Sequence, residues 1–166
     1  MGDATETPPW WAAFPAPKSN AAHIEADEVL RLLEHQETAG QEASRDFLLV
    51  DVRRNDWEGG TIKSSINLPA QTLYQTRAVI HQLCQQAGIK RYTCFLPVMP
   101  IAEVAGGSSN GRGPRSANWL QDYFDDVGET TVTAVILKGG IKGWVRGYGG
   151  RVMDWYEEKV WTDLAE

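Results

Sequence analysis

The residues able to do chemistry sit between positions 90 and 115, in the run KRYTCFLPVMPIAEVAGGSSNGRGPR. Cys94 closes a short strand-like segment. Gly107, Ser108, Ser109, Asn110 and Gly111 are small residues whose backbone N–H groups can turn inward together. Arg112 then offers a planar guanidinium fork, and Pro114 falls in what should be a first helical turn. An oxyanion binds well in such a cradle, because the amides and the positive end of the following helix face it. A thiolate in the same field has its pKa lowered and becomes a nucleophile near neutral pH without a dedicated base. Cys94 and Arg112 are thus the candidate catalytic pair, but they stand too far apart in the chain to share one compact loop.

Those residues need elements to position them. Residues 47–52, FLLVDV, form a short apolar run with a carboxylate inside it and read as a buried strand. Asp51 is a charge placed in a core, so it should be structural, paired with Arg53 or with backbone donors. Residues 65–68 suggest a second short strand, ended by Pro69. Helices are expected over 26–36, where Val29, Leu32 and Leu33 recur at helical spacing, over 73–87 with Gly88 as the stop, and over 114–126. Cys84 lies on the apolar face of the second and reads as a core residue. Strands are expected at 90–94 and 131–137, a turn at GGIKGW (139–144), and a final helix carrying Val152, Trp155, Tyr156 and Val160. Strands alternating with helices give an α/β fold, a mainly parallel central sheet with helices on both faces. In such sheets ligands sit where strand ends meet helix starts, and 94–114 is such a junction. Residues 1–23 read as an irregular leader whose Trp10, Trp11 and Phe14 pack on the domain, and 24–166 as a single domain.

Composition narrows the partners. With 166 residues the chain suits one domain, and a formal charge of -6 disfavours nucleic acid or an anionic membrane as partner. The longest mostly apolar run, 95–106, is twelve residues with two prolines and a glutamate, short of the roughly 20 a membrane span needs. Two cysteines make no disulfide framework, and they give no zinc spacing with the three histidines His23, His35 and His81. The acidic start has no signal-peptide pattern, so a cytoplasmic or nuclear location is expected, without metal or resident cofactor.

Taken in order, DVR, GG, INLP, SSNGRGPR and LKGGIKGW resemble a rhodanese domain over roughly residues 24–161. SSNGRGPR is similar to the active loop of the branch that contains cell-cycle dual-specificity phosphatases and arsenate reductases, where the loop is C-x5-R followed by Gly-Pro. The resemblance implies a rhodanese-like fold and a cysteine-dependent phosphatase or arsenate reductase. Its substrate would be a phosphoprotein or a small oxyanion, with glutathione or glutaredoxin as reductant in the arsenate case. Deleting residues 95–106 leaves RYTCGSSNGRGPR, a C-x5-R loop made of Cys94, Gly107, Ser108, Ser109, Asn110, Gly111 and Arg112. Residues 95–106 therefore read as an insertion, of the kind an altered splice junction leaves. In the alternative register 101–105 is the strand, Gly106 stands where the cysteine belongs, and the nucleophile is missing. The phosphatases carry an acidic residue inside the loop; none lies between 107 and 111 here, which leaves the general acid unassigned. Two further readings stay open: a catalytically impaired module that binds oxyanions or proteins, and a sulfurtransferase, which typically has a shorter loop.

Overall fold

A computed structural model describes residues 7–40, 44–95 and 111–164. Its centre is a five-stranded sheet built from β1 (Ala22–Ile24), β2 (Phe47–Asp51), β4 (Ile66–Asn67), β5 (Arg91–Phe95) and β6 (Thr133–Leu137). The strand order is β1-β6-β5-β2-β4, and every pairing is parallel. A separate antiparallel pair joins β3 (Thr61–Ile62) to β7 (Met153–Asp154).

The strand alternation in the sequence sorts residues onto two cores. Val50, Val52, Tyr92, Cys94, Ala134 and Ile136 face one side, where α2 (Ala70–Ala87) and α3 (Arg112–Asp126) cover them. Phe47, Leu49, Phe95, Val135 and Leu137 face the other, beneath α1 (Ala26–Ala39), α4 (Gly140–Tyr148) and α5 (Glu158–Asp163). Strands buried on both faces are why these segments read as near-continuous apolar runs. The expected mainly parallel sheet with helices on both faces is the architecture found.

Helix limits follow local chemistry. Asp27 and Glu28 occupy the first turn of α1, where the helix dipole favours negative charge. Gly88 ends α2 in the left-handed region at φ 69°, a conformation that costs glycine little. Pro114 sits at the third position of α3, within the turn whose N–H groups have no helical partner.

Three expectations need correction. The GGIKGW segment is helical from Gly140 onward, since Ile141, Trp144, Val145 and Tyr148 recur at helical spacing and pack beneath the sheet, outweighing the glycine penalty. No single helix spans 152–160. Val152 and Trp155 both have φ 55°, β7 between them pairs with β3, and α5 starts only at Glu158. Finally, residues 22–24, placed across the leader boundary, form the edge strand β1 beside β6.

The leader itself crosses α2 and α3. Phe14 stacks on Tyr74 at 4.8 Å, and Trp10 and Phe14 meet the Trp119 ring edge-on at 6.1 and 5.8 Å. Trp119 donates Nε1–H to the Pro15 carbonyl at 2.8 Å. The backbone N–H groups of Lys18 and Ser19 donate to Asp122, and that of Ala21 to Asn118.

Candidate oxyanion site at the β5–α3 junction

Parallel strands deliver the loops that follow them to one edge of the sheet. Asp51, the last residue of β2, pairs with Phe95, the last of β5, so the loop after β2 and the junction from β5 to α3 share that edge. Arg112 opens α3 with Gly111 as its N-cap. The Gly111 carbonyl accepts from Arg115 N–H at 3.0 Å, the first bond of the helix.

Arg112 is engaged there. Its Nη1 and Nη2 donate to the two carboxylate oxygens of Asp56 at 2.9 and 2.5 Å. The backbone N–H of Arg54 donates to the same carboxylate at 3.1 Å. The Asp56 pKa is pulled down to about 2, chiefly by the Arg112 hydrogen bonds, against an opposing push from burial and with help from the Arg54 N–H and the Arg112 charge. Both groups remain reachable, with the Arg112 side chain 18% exposed and that of Asp56 41%.

Beneath this pair lies a buried ion network. Arg53 Nε donates to both oxygens of Asp51 at 2.9 Å, and Nη2 donates to Oδ2 at 2.6 Å. Thr61 Oγ1 donates to the same Oδ2 at 2.9 Å. The rest of the guanidinium is satisfied by the carbonyls of Glu58 and Gly60 at 2.9 and 2.6 Å. Asp51 thereby fixes the start and the end of the loop that carries Asp56.

Cys94 is placed differently from the sequence expectation. It is the penultimate residue of β5, and the strand continues through Phe95, whose carbonyl accepts from Val52 N–H at 3.3 Å. The Cys94 side chain is 0% exposed in the core shared with α2 and α3, and burial pushes its pKa up rather than down. Position 95, counted as the first inserted residue, is thus a core residue, with its ring on the opposite face. The central strand position beside β2 and β6 is filled by Arg91–Phe95. Gly107, Ser108, Ser109 and Asn110, with the rest of 96–106, lie outside the described residues.

Cys84 is buried on α2, its pKa pushed up to about 11 by desolvation and then by the Glu129 charge. A shift of that size alone lowers the thiolate fraction about 100-fold. A disulfide reagent at mildly alkaline pH is therefore expected to label neither cysteine of the native chain, and both once it is denatured. Prompt labelling of the native protein that survives in Cys84→Ser and is lost in Cys94→Ser would show that Cys94 reaches solvent.

Asp56 had no sequence signal. It lies in a polar loop, and only the parallel arrangement of β2 and β5 brings it to Arg112. Among the described residues no group of three or more His, Cys, Asp or Glu could hold a metal ion, and no helix is long and apolar enough to cross a membrane.

Neither a protein-family model nor a curated protein matches the sequence. Solved structures do. A yeast protein tyrosine phosphatase of the rhodanese family superposes with a TM-score of 0.63 at 23% identity, over 86% of this chain and 98% of that one. An As-Sb reductase from Leishmania major gives 0.66 at 18% identity, over 89% of this chain and 100% of that one. A second structure of the same yeast protein, described as a homologue of single-domain rhodanese and of the Cdc25 phosphatase catalytic domain, gives 0.63 at 22%, over 86% of this chain and 92% of that one. The chain has the rhodanese-like α/β fold.

Proposed function

We propose that the β5–α3 junction carries cysteine-dependent chemistry on a tetrahedral oxyanion, as a phosphatase of the tyrosine or dual-specificity type or as an arsenate reductase. One observation carries the reading: a cysteine near the end of the central strand β5 and an arginine opening α3 flank the strand-to-helix junction of a rhodanese-like sheet, the kind of junction where such sheets bind ligands. The phosphatase and the reductase among the structural neighbours support it. In this reading the Cys94 thiolate attacks phosphorus and expels the ester alcohol or phenol, or attacks arsenic and expels an oxygen as water, while Arg112 with loop amides stabilises the equatorial oxygens as charge builds. Water releases phosphate from the thiophosphate in one case. In the other, two external thiols take over the arsenic adduct: they become a disulfide as As(V) is reduced to As(III), arsenite leaves and the Cys94 thiol is restored.

A second reading, an oxyanion-binding or protein-interaction module without turnover, is favoured by the enclosed Cys94 thiol and by the carboxylate already held on Arg112. Both readings meet in one experiment. Phosphate-ester hydrolysis, arsenate reduction and thiocyanate formation are measured for the full chain and for two shortened chains, one lacking residues 95–106 and one lacking 96–107. Either deletion restores C-x5-R, and the second keeps the Phe95 core side chain. A misplacement of about 1 Å costs about 100-fold in rate, so at least one shortened chain is expected to exceed the full chain by that factor. Cys94→Ser should abolish the gain. Phosphate binding without turnover in all three chains would replace the enzyme with the module.

A further inference from the structure

The fork of Arg112 that an oxyanion would enter is already filled. Two parallel bonds to one carboxylate are the geometry by which a guanidinium also grips a phosphate or arsenate, and the same donors cannot serve both at once. Asp56 is held in register from its own side by the Arg54 backbone N–H. The pair is open to solvent, so a dissolved anion can reach it and the displaced carboxylate has somewhere to go.

We propose that Asp56 is an internal competitor for the oxyanion site, a tethered carboxylate that caps Arg112 until a substrate anion displaces it. The inference rests on Arg112 being the oxyanion ligand, as argued above. It adds a residue that sets the threshold for occupancy. Because Asp56 is attached to the same chain, its effective concentration at Arg112 is high, and weakly bound anions of the cell solution do not hold the site against it. Phosphate esters and arsenate, which offer at least three oxygens and a second charge, are the anions able to exchange with it. Once displaced, Asp56 turns outward, where solvent and salt screen it.

A pure competitor has a distinct thermodynamic signature: its removal strengthens every competing anion by one common factor. A neighbouring charge acting through space instead favours the more highly charged anion when it is removed. The test is titration calorimetry of inorganic phosphate with the full-length protein, with Asp56→Asn, and with Asp56→Ser as a second replacement. Titrations are run near pH 5, where phosphate carries one charge, and near pH 8, where it carries about two. The expected result is an affinity about five- to tenfold higher in both variants, by the same factor at both pH values. Equal or weaker binding in the variants overturns the proposal. So does a gain several times larger near pH 8, and so does the absence of binding to all three proteins. Turnover is not read, so the proposed chemistry can fail in the assays above while the competitor holds, and the reverse is equally visible.

Discussion

Arg53→Met is expected to destabilise the protein by about 3–5 kcal/mol, measured as a shift of the denaturant midpoint followed by circular dichroism. A domain of this kind has only about 5–15 kcal/mol in total, so a large share of it goes. The reason is the fate of Asp51. Both side chains are about 1% exposed, and the guanidinium is the only cation bonded to that carboxylate among the described residues. Without it Thr61 and the Arg53 backbone N–H still donate, but an uncompensated charge is left in the core. Adding Asp51→Asn should recover part of the loss, because the buried charge is then gone as well. A midpoint shift worth less than about 1 kcal/mol would mean that solvent enters this network. The carbonyls of Glu58 and Gly60 also lose their partner, so the loop bearing Asp56 should loosen in the same variant.

Trp119→Ala carries the second large effect, about 3–5 kcal/mol for an emptied aromatic core position. Trp119 is buried on α3 and touches Tyr74 of α2 at 5.3 Å as well as Trp10 and Phe14 of the leader. The loss has a local readout besides stability. Residues 7–21 are tied down by this ring, by its bond to Pro15 and by acceptors on Asp122 and Asn118. Removing the ring should leave a folded domain whose leader is cut by protease well before the rest. Trp10→Ala should cost less, since that ring is only half-buried. Equal protease resistance of the leader in Trp119→Ala and the parent would show that the polar contacts alone hold it.

Much of the fold was legible because its strands are buried on both faces. FLLVD and TAVIL are long enough to show that, and a lone aspartate in such a run already asks for a partner. The strands at Ala22–Ile24, Thr61–Ile62 and Met153–Asp154 have two or three residues each, too few for any period to appear. The helix at Gly140–Tyr148 hid behind its glycines, although the spacing of Ile141, Trp144 and Tyr148 held the information. At the candidate site, the positions of Cys94 and Arg112 at a strand end and a helix start were readable from local pattern. Two features were not. The burial of Cys94 depends on the strand running one residue further, to Phe95, and the Asp56–Arg112 contact joins residues 56 positions apart through sheet order alone.

The leader has a consequence for the order in which the protein assembles during its synthesis. Trp119 Nε1 and the Pro15 carbonyl are separated by 104 positions, and β1 waits for β6 at the far side of the sheet. At about 5–20 residues per second, the ribosome makes the leader roughly 5–20 seconds before its partners on α3 exist. Three aromatic side chains spend that interval without their native cover, so residues 10–14 of a newly made chain are open to holding chaperones until α3 exists. Docking of the leader on the domain accordingly waits for α3, and pairing of β1 waits for β6.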